Sequence, residues 1–98
     1  MTTEIKKTAE ATTIYISGRL DATTAPVLEK TISKEIEEAK NLIIDMKDMP
    51  YISSAGLRVL LATQKKMQKI GSLVIKNVCP EVMDIIEITG FVDILTIE

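Results

Sequence analysis

The chain is 98 residues long, 46% hydrophobic and 27% charged, with a net charge of −2, one cysteine and no histidine. This length suits one small domain with a single core, and the absence of histidine excludes a Ser-His-Asp triad and any His-ligated metal site. With Cys79 alone, an internal disulfide and a structural zinc site are excluded as well.

Glu4 to Thr8 is a polar candidate for an edge strand, Ala9 to Ala11 a turn, and Thr12 to Ser17 a stronger strand rich in Thr, Ile and Tyr. Gly18 is expected to break it. Asp21 to Pro26 reads as the lead into a helix, with Thr24 a candidate N-cap and Pro26 tolerated in the first turn. The helix is expected to reach about Ala39, burying Val27 or Leu28, Ile32, Ile36 and Ala39. Glu29, Lys30, Lys34, Glu35, Glu37 and Glu38 read as its solvated face.

Asn41 to Asp45 is the most apolar strand, and Pro50 suggests a turn after it. A second helix then starts near Ser54, with Leu57, Leu60, Leu61, Met67 and Ile70 at helical spacing, and stops at Gly71. Ser72 to Lys76 is a short strand, Pro80 to Ile88 a third helix ended by Gly90, and Phe91 to Ile97 a last extended segment. The order is β-β-α-β-α-β-α-β, an α/β chain whose helices pack on a mixed sheet. No repeat or low-complexity tract occurs.

Neither GxGxxG nor GxxxxGK[ST] is present, so no standard nucleotide-phosphate loop is expected, and no cofactor. Charges of both signs are interspersed, which argues against a nucleic-acid surface. Met1 to Ala11 lacks the apolar stretch of a signal peptide, and no run nears the ~20 apolar residues that span a bilayer. The expected location is cytoplasmic, with no membrane partner. A Ser-Lys dyad using Lys47 lacks an apolar pocket to desolvate the lysine, so the chain is not expected to be an enzyme.

The informative feature is the serine pair Ser53-Ser54 at a strand-to-helix junction. The first N–H groups of a helix lack intrahelical acceptors, and the macrodipole places partial positive charge there. A serine at that position can cap the helix, or it can carry a phosphate that those groups favour. Gly56 in the first turn costs about 1 kcal/mol of helix propensity relative to Ala. Close approach of a ligand and packing against a strand explain it equally well.

The stretch from Asp45 to Leu61, closing Tyr-Ile-Ser-Ser-Ala-Gly-Leu-Arg-Val-Leu-Leu, resembles the signature of STAS-domain anti-sigma factor antagonists. Gly18-Arg19-Leu20-Asp21-Ala22-Thr23-Thr24-Ala25 is similar to that family's segment between the second strand and the first helix. The agreement in length and element order spans nearly the whole chain. It implies a single STAS domain over residues 1–98, with a mixed sheet of four to five strands and three to four helices. It also implies that Ser54, two places before the glycine, is the residue a partner kinase phosphorylates. Well-known members carry aspartate where Ser53 stands and Ser or Thr where Ala55 stands, which makes Ser53 the second choice of acceptor.

By the same resemblance, Asp21 lies near the acceptor, where a carboxylate repels an incoming phosphate or positions the hydroxyl. A turn or capping role explains Asp21 as well. Asp45 and Gly56 are expected beside the site, and with Asp48 in the following loop a phosphate there sits in a strongly negative field. Met49, Tyr51, Ile52, Ser53, Ser54, Ala55, Leu57 and Arg58 are the candidate partner-binding residues. The implied function is that of an anti-sigma factor antagonist. Unphosphorylated, it binds an anti-sigma factor with a histidine-kinase-like ATPase fold and serine-kinase activity, and so releases a sigma factor. A PP2C-type phosphatase resets it, and ATP belongs to the kinase. Two alternatives stay open: partner switching with a non-sigma output, and a ligand-sensing or structural STAS domain in which Ser54 is only a cap.

Overall fold

The computed structural model describes Met1–Glu98. The chain forms β1 (Thr2–Lys7), β2 (Thr12–Leu20), α1 (Ala25–Glu35), β3 (Asn41–Ile52), α2 (Ser54–Ile70), β4 (Ser72–Lys76) and α3 (Pro80–Ile88), then a 3-10 turn at Phe91–Asp93. The four strands lie in the order β1-β2-β3-β4. The first pair is antiparallel, and β2–β3 and β3–β4 are parallel. Helical crossovers are what parallel neighbours require, so the α/β alternation in the chain dictates this sheet.

Strand periodicity sets the two faces. Ile14 and Ile16 of β2, Leu42, Ile44 and Met46 of β3, and Leu73 and Ile75 of β4 are buried on one face. From the helices come Leu28 and Ile32 of α1, Leu57, Leu60 and Met67 of α2, and Val82 and Ile86 of α3. Each such side chain contributes about 1.5–3 kcal/mol on burial. The opposite face carries Tyr15, Asp45 and Lys76, which are register neighbours, and it stays partly open.

Several expectations fail, each for a tertiary reason. Gly18 does not end β2: with φ +94 it forms a bulge, the register shifts there, and the strand runs on to Leu20. Pro50 does not make a turn: β3 continues to Ile52, and since β4 pairs only as far as Asp45, Pro50 lies where β3 has no ladder on that side. Helix α1 stops at Glu35, short of Ala39, and it buries Leu28 while Val27 is exposed. Glu35 is not on the solvated face: it is buried and paired with Lys7 of β1 at 3.0 Å. The expected last strand is reduced to the 3-10 turn and a single bridge between Ile97 and Ile75.

Candidate functional site

Strands β2 and β3 end together. Leu20 pairs with Ile52, and the Ser53 N–H donates to the Leu20 carbonyl at 2.8 Å. The turn into α1 and the start of α2 therefore leave the sheet side by side, at the carboxyl end of two parallel strands, where α/β folds place their sites.

At the start of α2, Ser53 is extended (φ −101, ψ 174) and occupies the N-cap position. Its carbonyl accepts the Leu57 N–H at 3.0 Å. Its hydroxyl caps nothing: Oγ is buried and has no hydrogen-bond partner. Ser54 is the first residue of the 17-residue helix and is exposed. The capping explanation of Ser54 is thereby corrected, because no side chain caps α2 and Ser54 lies one residue inside it. What α2 presents to solvent is a free hydroxyl at a helix start where anionic charge is favoured.

The turn into α1 is built differently. Asp21 Oδ1 accepts the N–H groups of Thr23 and Thr24 at 3.0 and 3.1 Å. The Thr24 hydroxyl accepts the Asp21 N–H at 2.9 Å and donates to the Arg19 carbonyl at 2.8 Å. The Thr24 amide, helped by that of Thr23, holds the Asp21 carboxyl below its ordinary pKa against a smaller opposing desolvation. Arg19 stands 3.8 Å from Asp21, and its guanidinium lies 4.0 Å above the Tyr51 ring. Asp21 directly follows Leu20, whose carbonyl accepts the Ser53 N–H, and its carboxylate is engaged by its own turn.

Asp45 is not at the site. Its neighbour Tyr15 lies five residues before Leu20 on β2, roughly 16 Å at strand rise. Its oxygens accept from the Lys47 amide and the Asn77 side chain, at 3.0 and 2.8 Å. A strand that ended at Asp45 and folded back would bring it to the serines; β3 instead runs on for seven more residues, from Met46 to Ile52. Asp48 stands on the same extended strand, so the strongly negative surround expected for the serines is absent. Lys47 lines a shallow cleft on the sheet with Asp45 and Asp48, and no basic group partners either serine. No group of three or more His, Cys, Asp or Glu is arranged to hold a metal ion.

Gly56 has a packing reason. A Cβ there would stand 2.7 Å from Leu20 Cγ and 2.9 Å from Ile52 Cγ1, so the glycine lets α2 close on the two strand ends. Met49, Ile52 and Leu57 are core, at 0, 2 and 2% exposure, and are corrected from surface residues to the support beneath the surface. Tyr51, Ser54 and Arg58 are exposed, and Ser53 and Ala55 are half-buried. Two features escape a reading along the chain. Arg19 joins Tyr51 only through the β2–β3 register, and a groove of about 450 Å³ runs between α1 and α2, lined by Ala25, Glu29, Ala55, Arg58 and Ala62 among others. The small residues at 55 and 62, one per two turns, are the only local sign of that groove.

Comparison with known proteins bears on the family and the fold. The family model described as the STAS domain matches residues 2–98. An anti-sigma-B factor antagonist of Bacillus subtilis (strain 168) is 33% identical over 95 residues, which cover 96% of this chain and 87% of that one. The crystal structure of an anti-sigma factor antagonist from Mycobacterium paratuberculosis superposes with a TM-score of 0.89 at 27% identity, over 98% of this chain and 83% of that one. The Bacillus cell fate determinant SpoIIAA in its phosphorylated form has the same fold, with a TM-score of 0.76 at 17% identity, covering 99% and 91% of the two chains.

Proposed function

The chain belongs to the STAS-domain family, and from that premise we propose that it is an anti-sigma factor antagonist switched by phosphorylation at Ser54. The relatives named as anti-sigma factor antagonists support the class of function. The observation that carries the acceptor assignment is the contrast within the serine pair: Ser54 is exposed on the first turn of α2, and Ser53 Oγ is buried. A kinase reaches the first without moving the chain and the second only by opening the junction.

Unmodified, the surface formed by Arg19, Tyr51, Ser54 and Arg58 docks on an anti-sigma factor with a histidine-kinase-like ATPase fold and serine-kinase activity, and the sigma factor is released. Phosphorylation adds a charge of about −1.5 to −2 at the centre of that surface. The helix start accommodates it on the protein's own side, so the fold is kept. A fold neighbour solved in a phosphorylated form supports this. Across the interface the phosphate meets no partner. Burying net charge that the interface does not neutralise costs several kcal/mol, and about 1.4 kcal/mol is tenfold in affinity, so one phosphate suffices to break the complex. A PP2C-type phosphatase restores the docking form.

The test is intact mass after incubation with Mg-ATP and the ATPase encoded beside the gene, for wild type, Ser53→Ala and Ser54→Ala. One added phosphate, lost only in Ser54→Ala, is expected. Loss in Ser53→Ala alone moves the acceptor by one residue. No phosphate on any sample, with each kinase active on a control substrate, overturns the switch.

A further inference from the structure

Arg58 stands one helical turn below Ser54 on α2. Residues four apart on a helix are neighbours, and a helical side chain leans back over the turn on its N-terminal side, which for Arg58 is the turn that begins at Ser54. The guanidinium is exposed and unpaired. The ion pairs of this molecule join Lys7 to Glu35 and Glu38, and Arg19 to Asp21, and none includes Arg58. Glu29 lines the same groove from α1 and forms no ion pair with it. The amides at the start of α2 are common to every helix; among the three helices of this molecule, only α2 carries a cation one turn along from its first residue.

We propose that Arg58 is the built-in counter-charge of phosphorylated Ser54, and that the modification draws its guanidinium out of the α1–α2 groove onto the phosphate. This rests on Ser54 being the acceptor and adds a regulatory consequence. The switch then alters two places at once: an anion appears at Ser54, and the only cation lining the groove turns away from it. Arg is suited to this because its planar fork donates two hydrogen bonds to a phosphate. The partner loses a docking charge and gains a repelling one, while phosphoserine 54 keeps a residual negative charge. The other charged groups around this corner are Arg19 and Asp21, paired with each other, and Glu29.

The test does not use the kinase. Phosphoserine is installed at position 54 of the full chain by genetic code expansion, and its second ionisation is followed by phosphorus NMR in the wild-type, Arg58→Ala and Arg58→Lys backgrounds. Arg58→Ala is expected to raise the phosphoserine pKa by about 0.4 unit, and Arg58→Lys by less than half of that. Raising salt to about 1 M, where the screening length falls to ~3 Å, should collapse the difference. Equal pKa values in all three proteins, with unchanged circular dichroism, overturn the pairing. Because the phosphate is placed during synthesis, a protein that no kinase modifies refutes the acceptor assignment without touching this result. A kinase-modified Ser54 whose pKa ignores Arg58 refutes only the pairing.

Discussion

Helices α1 and α2 start from adjacent strand ends and face the same way, and their first turns are built on opposite plans. At the first, Asp21 and Thr24 satisfy one another and the surrounding amides, and the Asp21 carbonyl takes the Ala25 N–H at 2.8 Å. At the second, two serines bring two hydroxyls and neither binds the backbone, one being buried without a partner and the other free in solvent. Buried polar groups are nearly always paired, so the Ser53 hydroxyl is a local cost at the start of α2 that the start of α1 does not carry. The start of α1 holds the corner rigid; the start of α2 leaves a handle on it.

The contrast is most exposed to test at the wall the two helix starts share. Gly56→Ala forces a methyl into Leu20 and Ile52, and should cost about 1–3 kcal/mol in urea unfolding. An unchanged midpoint would mean that α2 is not packed on the strand ends through this glycine. Next comes the satisfied side: Thr24→Val removes the hydroxyl that accepts the Asp21 N–H and donates to the Arg19 carbonyl and Asp21 Oδ1, and should cost about 1–2 kcal/mol. A loss much below that would show that the Asp21–Thr24 turn holds without the hydroxyl. Ser53→Ala is predicted to go the other way, neutral or stabilising by up to about 1 kcal/mol, since it deletes a buried hydroxyl with no partner. A clear loss of stability would show that Ser53 caps α2 in solution. Ser54→Ala should move stability by less than about 0.5 kcal/mol while abolishing phosphorylation.

The smallest effect expected is on acid stability. The Asp21 pKa is lowered on folding below its usual 3.8, so its contribution is present above that value and is lost as pH falls through the folded pKa. Asp21→Asn should therefore flatten the pH dependence of the denaturation midpoint below about pH 4 relative to wild type. An equal slope in both proteins would show that the Asp21 turn is not formed in solution.

Much of this molecule is legible locally. Helices α2 and α3 and strand β4 begin and end where apolar spacing, Pro80 and Gly71 place them, because those signals act over a few residues. The serine pair is readable too, as a motif at a strand-to-helix junction. The extent of β3 is not. Pro50 means a turn in isolation and is tolerated in a strand only because β4 ends at Asp45 and leaves that side without a ladder. Stopping β3 too early draws Asp45 to the serines and turns Met49 and Ile52 outward, although both are core; Leu57, on the first turn of α2, is core as well.

Neighbour-to-neighbour chemistry is enough to establish the alternation of strands and helices, the absence of histidine chemistry, and the identity of the residues at the start of α2. Only the folded molecule settles which carboxylates surround that start, which of the two hydroxyls reaches solvent, and that Arg19 meets Tyr51 across the sheet. The reason lies in range. Periodicity and turn chemistry are carried by neighbours along the chain, whereas register and burial depend on residues brought together from β2, β3 and α2, and a shift of one residue in pairing would turn each side chain to the opposite face.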